Sequence, residues 1–354
     1  MFIPLFSSKF TRRKDKVKTE KLLKFSGHEK LLDFIGKKTI KLIFLLIVVC
    51  LASFWLVEQS PIDPVRAYIG EMSITSEKKA QLEEYWGVNT PVQEKLLNWA
   101  GQVIKGNFGT SLIYRIPVFD VIKERFTASL ILMATSWIIS GTLGFILGII
   151  SGMKRGTWID KVIKTYCYIL AATPTFWLAL ILLMVFSVYL GWFPIGLSVP
   201  IGVTANNVTF MDWLHHLILP ALALSLLGVA QIAMFTREKL TEVLSSEYVL
   251  FAKARGEKGL SLVLRHGIRN IALPAITLQF LGFSELFGGA VLVEQVFSYP
   301  GIGQAAVAAG LRSDVPLLLG IVLVSALFVF FGNTMADVIY EFIDPRIKQQ
   351  EAAS

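Results

Sequence analysis

The sequence predicts an all-α polytopic membrane protein with six transmembrane helices. Of its 354 residues, 54% are apolar and only 17% are charged, whereas soluble proteins average roughly 45–50% and about 25%. Six windows are almost free of charge, and a helix needs about 20 mostly apolar residues to cross a bilayer. This composition excludes a soluble multidomain protein, a disordered chain, a collagen and a disulfide-rich secreted scaffold.

The apolar windows define the organisation of the chain. They cover about residues 42–57, 126–153, 165–190, 213–236, 273–293 and 315–336. Pro274 lies at the start of the fifth window, and proline is well tolerated in the first turn of a helix. Within the segment 58–125, Ser76–Tyr85 and Val92–Ile104 favour helices. We therefore expect a basic leader (1–41), a first span (42–57), an extracytoplasmic segment (58–125), a core domain (126–341) with a loop at 237–272, and a tail (342–354).

The distribution of Lys and Arg predicts the orientation in the membrane. Twelve of the 34 basic residues lie in residues 1–41, against four acidic residues. With the N-terminus inside, 25 basic residues face the cytoplasm and nine face outwards. Eight of those nine lie in the long segment 58–125, and long segments have little influence on topology. Both termini are therefore expected in the cytoplasm.

Several chemistries find no support in the sequence. The net charge of +8 comes without an aromatic-interleaved basic module, so it indicates attraction to anionic headgroups and not nucleic-acid binding. Cys50 and Cys167 lie in apolar runs without metal-ligand spacing. His215 and His216 are adjacent, so on a helix their side chains point about 100° apart and do not converge on one metal ion. Without a G-x-S-x-G motif to indicate a hydrolase, we predict no catalytic residue and no metal site.

The segment 237–272 has the pattern of two short helices. Leu240, Val243 and Leu244 have helical spacing that continues through Phe251, and Gly256 follows where glycine commonly ends a helix. A second helix is expected from Leu260 to Ile268. Two short helices that meet at a glycine-rich corner form a shape that another protein can bind. A solvated connector whose basic residues follow the positive-inside rule gives the same pattern, so both interpretations stay open at this point.

The order of residues in this segment resembles a known loop. The chain contains Tyr248-Val249, Ala252-Lys253-Ala254-Arg255-Gly256, Arg265-His266-Gly267-Ile268-Arg269-Asn270 and Leu273-Pro274. This order is similar to the cytoplasmic EAA loop of ABC-transporter permeases, and more narrowly to that of the dipeptide, oligopeptide and nickel import permeases. Further stretches similar to that family are Trp86–Pro91, Gly106–Ser111, Thr173–Phe176, Gly288–Glu294, Pro300–Gly303 and Asp344–Arg346.

The resemblance implies the fold of a type I ABC importer permease, in which the loop is a coupling helix held in a cleft of a separate ATPase subunit. The residues that it assigns to this contact are Glu247, Tyr248, Ala252, Ala254, Arg255, Gly256, Glu257, Gly259 and Arg265. In the family a Leu-Ser pair follows the motif glycine directly. Here that pair, Leu260-Ser261, comes three residues later, so either Gly256 or Gly259 can set the docking register.

The resemblance also implies partners and a location. These are a second homologous permease subunit, two ATP-binding subunits, an extracytoplasmic solute-binding protein and the lipid bilayer of the bacterial inner membrane. The chain has no G-x-x-x-x-G-K-[ST] phosphate loop of its own. We therefore expect no cofactor on this chain and no enzymatic activity, with ATP and Mg²⁺ bound by the partner ATPase. The implied cargo is a peptide or a nickel complex.

Ionisable residues inside spans are candidates for the translocation path, because a charge in hydrocarbon is costly. Glu285 is the clearest of them, with Gly282, Gly288 and Gly289 nearby to allow close helix packing. It can attract a peptide amine or a metal complex, and pairing with a polar group of a neighbouring subunit fits the pattern equally well. Glu294 is expected at the membrane interface.

Two other classes of protein compete with the importer subunit. An ion-gradient-driven secondary transporter acts without an ATPase, but such carriers usually show internal repeats and charge networks at the midplane, and neither is visible here. A membrane-anchored sensor or scaffold leaves the loop at 237–272 without a role.

Overall fold

The structure is a computed structural model that describes residues 35–56, 59, 75–85, 90–203 and 207–343. The regular structure in these ranges is helical, with no β-strand, which confirms the all-α prediction. Most of the predicted leader and the whole tail after residue 343 lie outside the described residues.

The chain divides into two units, Met1–Leu51 and Ala52–Ser354. The first described helix, α1, spans Ile35–Leu56 and runs across that division. It starts before the predicted span at residue 42, so the last basic residues of the expected leader are helical.

Twelve further helices are described in the second unit. They are α2 (Ser76–Tyr85), α3 (Val92–Ile104), α4 (Val118–Met153), α5 (Trp158–Ala172), α6 (Thr175–Leu182), α7 (Phe210–Leu244), α8 (Glu247–Ala254), α9 (Gly259–Leu262), α10 (Ile268–Leu281), α11 (Phe283–Val296), α12 (Ile302–Leu311) and α13 (Val315–Ile343). Helix α6 continues as a π-helical turn over Leu183–Tyr189, and α9 is joined to α10 by another over Val263–Gly267.

Four of the described helices, α1, α4, α7 and α13, are single helices long and apolar enough to cross a membrane. Two bent pairs are also apolar enough: α5 with α6, bent by 109°, and residues 259–281 with α11, bent by 52°. If each bent pair is counted as one broken span, the described helices give the six spans that the sequence predicts, and otherwise they give four. The first break falls at Thr173-Pro174, because proline disfavours the helical conformation in the residue before it, and Thr173 is extended.

The fifth span also corrects the expectation for Pro274. That residue lies inside α10 and not in a first turn, since the helix starts earlier and continues from residue 259 through the π-helical turn. A likewise unexpected break lies at Ser245-Ser246, between α7 and α8, where the sequence predicted one continuous helix up to Gly256.

Helices α4 and α7 run parallel and pack along a row of small residues. Four α4 residues spaced by four are buried against α7: Ser140, Gly144, Gly148 and Gly152. A Cβ atom added to Gly148 would lie 2.5 Å from the Cβ of Thr236 and 2.6 Å from the carbonyl oxygen of Ala233. Small residues at this spacing let two membrane helices approach closely and gain van der Waals contact.

Two buried carboxylates lie where α4, α11, α12 and α13 meet. We call this region the far end of the bundle. Glu294 is 1% exposed; it accepts hydrogen bonds from Ser129 Oγ (2.5 Å) and from the Gly303 amide (2.8 Å). Asp314 is fully buried and accepts one from Ser111 Oγ at 2.5 Å. Glu294 is therefore enclosed by the protein, because the start of α12 folds over this carboxylate and supplies donors to it. Its expected depth at the membrane interface stays a prediction.

The row of small residues generates a prediction for Gly148. Replacement by Ala forces α4 and α7 apart or strains the side chain of Thr236, and overpacking of this kind costs about 1–3 kcal/mol. We expect a lower melting temperature for Gly148→Ala than for the wild type in detergent solution. The control is Gly288→Ala in α11, where an added Cβ meets no described atom within 4 Å; a similar loss in both variants would contradict the close-packing explanation.

Candidate functional site

The segment between α7 and α10, residues 245–267, is the first part of the candidate site. Helix α8 ends in a Schellman motif: the amide of Gly256 donates to the carbonyl of Lys253 (2.9 Å), and that of Glu257 donates to the carbonyl of Ala252 (3.2 Å). Gly256 has φ = +95°, a conformation that residues with a Cβ atom rarely adopt. The corner between the two short helices is therefore set by this glycine.

Helix α8 has one buried and one exposed face. Val249 and Ala252 pack against Leu262 and the end of α7. On the other side lie Tyr248, Phe251 and Arg255, whose spacing places them on one helical face. All three are exposed, Phe251 by 67%. The buried face fixes α8 to the end of α7, while the exposed face presents aromatic rings and a guanidinium group.

Glu257 connects the corner to the following helix. Its carboxylate lies 3.3 Å from Nη1 of Arg265 and 3.1 Å from Nε2 of His266. Partial burial raises the pKa of Glu257, but the hydrogen bond from His266 and the positive charge of Arg265 outweigh it, so the pKa lies below its ordinary value. The ionised form of Glu257 thus stabilises the folded corner.

A buried ion pair lies near the C-terminal ends of α4 and α7. The segment 245–267 follows this end of α7. Arg237 of α7 makes two hydrogen bonds to Asp160 of α5, Nε to Oδ1 at 2.6 Å and Nη2 to Oδ2 at 2.9 Å. Asp160 also accepts from Ser151 Oγ of α4 (2.6 Å) and from the Gly156 amide (2.9 Å). All the hydrogen-bonding positions of a carboxylate are used, which is the condition under which a buried charge is tolerated. The ion pair therefore joins α4, α5 and α7 into one unit.

A cavity within the bundle is the second part of the candidate site. Its volume is about 50 Å³, and it lies between α4, α6, α7, α10 and α11. The polar side chains in its lining are Ser140, Thr175, Gln231, Gln279 and Glu285. The Nε2 atom of Gln231 donates to Oε2 of Glu285 at 3.1 Å, and Nε2 of Gln279 donates to the carbonyl of Trp137. Glu285 thus faces this cavity.

The adjacent histidines are bonded to the chain itself. His215 Nε2 donates to the carbonyl of Trp192 (2.7 Å), and His216 Nδ1 donates to that of Gly196 (2.9 Å). Among the described residues, no group of three or more His, Cys, Asp and Glu side chains is arranged to hold a metal ion. Both rings hold the loop before α7 against that helix.

Comparison with known proteins identifies the family of this arrangement. Residues 144–349 match the family described as the binding-protein-dependent transport system inner membrane component. The chain belongs to this family. It is 35% identical over 318 residues to the oligopeptide transport system permease protein AppB of Bacillus subtilis, covering 89% of this chain and 99% of that protein.

Two other similar proteins are permeases as well. The di/tripeptide transport system permease protein DppB of Pseudomonas aeruginosa is 33% identical over 335 residues, which cover 90% of this chain and all of DppB. The glutathione transport system permease protein GsiC of Salmonella typhi is 33% identical over 318 residues, covering 90% of this chain and 99% of GsiC. The chain is thus a multi-pass membrane subunit of a transport system.

The structure brings most of the sequence-predicted loop residues of this permease together. Tyr248, Arg255 and Arg265 are exposed, whereas Ala252 lies on the buried face of α8. Glu247 lies in the first turn of α8, Ala254 is its last residue, and Gly259 starts α9. Glu285 is separate from this group, in the cavity.

Sequence reasoning missed several residues of the site. In the sequence Arg237 serves only as a topology signal and Asp160 carries no predicted role, although opposite charges at the ends of two spans are a pattern that can indicate such a pair. Gln231 and Gln279 also passed unnoticed, yet each is a polar residue within an apolar window. That signal was available in the sequence.

The buried ion pair generates a prediction for Asp160. Its replacement by Ala leaves the guanidinium of Arg237 without its partner, which costs about 3–5 kcal/mol for a buried pair. We expect a large fall in melting temperature for Asp160→Ala. The matched control is Glu242→Ala, which removes an exposed pair with Lys239 (2.8 Å) and costs about 0–1 kcal/mol. Equal losses in the two variants would show that Asp160 contributes no more than a surface pair.

The ion pairs of Glu257 generate a prediction about pH. Because its pKa is lowered in the folded chain, the stabilisation is complete above the ordinary carboxyl value of 4.5 and is lost as the pH falls through the folded-state pKa. We expect hydrogen–deuterium exchange in residues 257–266, corrected for the intrinsic pH effect, to increase when the pH is lowered from about 6 to about 3.5.

The control variants separate Glu257 from other carboxylates. Glu257→Gln is expected to exchange faster than wild type at the higher pH and to show little further change at the lower one. Glu247→Gln, in the first turn of α8, retains the wild-type response. A pH response that survives in Glu257→Gln would assign the effect to another group.

Proposed function

We propose that this permease is the membrane subunit of an ATP-driven importer of peptides, and that α8 is the helix through which an ATPase subunit moves it. The observation that carries the proposal is the exposed face of α8, with Tyr248, Phe251 and Arg255, held in position by the buried face formed by Val249 and Ala252. An exposed aromatic and cationic face on an anchored helix is suited to a protein partner, since aromatic residues and Arg are enriched at interfaces.

The peptide assignment rests on the relatives. The names of the three compared permeases refer to oligopeptides, to di- and tripeptides and to glutathione, which is itself a small peptide. We therefore infer a peptide as the substrate of this chain.

The proposed assembly contains four further protein subunits and lies in a membrane. The subunits are a second homologous permease subunit, two ATP-binding subunits and an extracytoplasmic solute-binding protein, and the membrane is the bacterial inner membrane. ATP and Mg²⁺ bind to the ATPase subunits in this proposal, and the permease is not itself an enzyme. The segment 245–267 and both termini then face the cytoplasm, where ATP is present.

Helix α7 provides a mechanical connection between the two parts of the site. It continues without a break from Gln231 in the cavity to Leu244 beside α8. At 1.5 Å per residue, these 13 positions span about 20 Å. Lys253 Nζ donates to the carbonyl of Leu244 at 2.9 Å, which adds a polar contact between α8 and the end of α7. A displacement of α8 by the ATPase is thereby transmitted to the cavity wall, with the Asp160–Arg237 pair moving as part of the same unit.

The proposal predicts the effect of removing one exposed ring. Phe251→Ser takes away an apolar side chain whose burial in an interface contributes about 1.5–3 kcal/mol, so binding of the ATPase subunits is expected to weaken about tenfold or more. The melting temperature of the permease alone stays at the wild-type value, because Phe251 packs little within the chain. Affinity is measured by titrating ATPase subunits onto the permease in lipid nanodiscs, and uptake of tri-alanine is measured in cells.

Leu311→Ser is the matched control, since Leu311 is an apolar side chain of similar exposure at the end of α12. It is expected to keep wild-type affinity for the ATPase subunits. Gly256→Val serves as a second test, because valine is strained at φ = +95° and displaces α8 while leaving membrane insertion unchanged. Normal ATP-dependent uptake by Phe251→Ser and Gly256→Val, or uptake by the wild type on an ion gradient without an ATPase, would contradict the proposal.

A further inference from the structure

The cavity contains a carboxylate without a neutralising charge. Glu285 is the one charged residue in the described lining. Its Oε2 atom accepts the hydrogen bond from Gln231, while Oε1 accepts none from a described residue. The side chain is exposed, and it lies three residues after Gly282, at the bend of the fifth span. A carboxylate at membrane depth is costly unless it faces water or a partner, so this oxygen is available to a ligand that enters the cavity.

We propose that Glu285 binds the free α-ammonium group of a peptide as the peptide passes the cavity, an inference that rests on the proposed function. An ammonium group carries three N–H donors and one positive charge. It therefore matches a lone carboxylate better than a neutral or anionic group does, because hydrogen bonds between charged groups are the strong ones.

The neighbouring groups complete a site for such a ligand. Gln231 donates through its Nε2 atom to Glu285, and this hydrogen bond orients the carboxylate. The side-chain oxygen of Gln231 is then a second acceptor for the ligand. Trp137 also lines the cavity; its ring contacts Phe280 edge-on at 5.1 Å. Indole is the side chain that attracts cations most strongly through its π face. A carboxylate, an amide oxygen and an indole together favour a cation with N–H donors.

The size of the cavity restricts which part of a substrate can occupy it. A cavity volume of about 10–15 Å³ is enough for one water molecule. A cavity of about 50 Å³ therefore holds an ammonium group with its first carbon atoms, and not a whole tripeptide. The rest of the peptide then lies outside the cavity, in the translocation path. This makes the site specific for the amino end and indifferent to the side chains that follow.

A divalent metal ion is the competing cation, and the geometry favours ammonium over it. A metal site in a protein draws on several ligating side chains, and Glu285 is the one carboxylate in the described lining, which contains no His or Cys. One carboxylate with amide neighbours is a poor metal site but a sufficient partner for an ammonium group.

The test compares tri-alanine with N-acetyl-tri-alanine, which lacks the ammonium group. The full-length permease is placed in lipid nanodiscs, and dissociation constants are obtained by saturation-transfer difference NMR titration. We expect the wild type to bind tri-alanine about tenfold more tightly than the acetylated peptide, as a charge-assisted hydrogen bond provides. Glu285→Gln is expected to abolish this preference, and Glu285→Asp to retain part of it.

Glu124→Gln is the control, because it removes a carboxylate of α4 that does not line the cavity. It should keep the wild-type preference. Equal binding of the two peptides by the wild type, no binding of either, or a preference that persists in Glu285→Gln would overturn the inference. The wild-type comparison requires no variant, so it decides the matter even if Glu285→Gln fails to fold.

This assay needs neither ATP nor an ATPase subunit. A negative result would therefore leave the coupling role of α8 standing. Conversely, wild-type ATPase binding and uptake by Phe251→Ser would contradict the coupling role and leave the peptide preference measured here standing. A binding preference for Ni²⁺ over tri-alanine at Glu285 would also overturn the inference.

Discussion

The contact between α4 and α7 is the constraint on which the rest of the structure depends. Because every fourth residue of α4 from Ser140 to Gly152 is Ser or Gly, the two helices lie together over several turns. Lipid gives membrane helices no hydrophobic reason to associate, so packing of this kind supplies most of the attraction. The ion pair between Asp160 and Arg237 then fixes α5 to the same pair of helices at one end.

This arrangement places the cavity and the segment 245–267 on one continuous helix. Gln231 of α7 lines the cavity, and Leu244 ends the helix beside α8. In contrast, the α10–α11 side of the cavity is interrupted at Gly282. One wall of the cavity thus continues as an unbroken helix to the segment 245–267, while the α10–α11 wall contains a bend. An unbroken helix on one side of the cavity and a bend on another suit the proposed function, in which a cytoplasmic ATPase subunit changes the shape of the cavity.

The sequence was sufficient for the fold class and for the positions of the apolar segments, because apolar windows between charges report directly on membrane crossing. It was insufficient for the breaks within spans. Thr173-Pro174 and Gly282 lie inside apolar windows that hydropathy treats as uniform, and the π-helical turn before Ile268 hid the true start of the helix that contains Pro274. The Gly256 corner was predictable, since glycine at a helix end has a specific backbone requirement. The buried position of Glu294 was not, because its donors at Ser129 and Gly303 come together only in the folded chain.

The hydrogen bonds at the far end have a consequence for biogenesis. Ser129 and Glu294 are separated by 165 positions, and Ser111 and Asp314 by 203. Because the chain is synthesised from its N-terminus, Ser111 and Ser129 are made before Glu294 and Asp314. During synthesis these two hydroxyl groups therefore have no carboxylate acceptor at first. Closure of this region is therefore among the last events of maturation. A polypeptide that ends before Glu294 lacks both acceptors, so its Ser111 and Ser129 hydroxyl groups cannot form these hydrogen bonds.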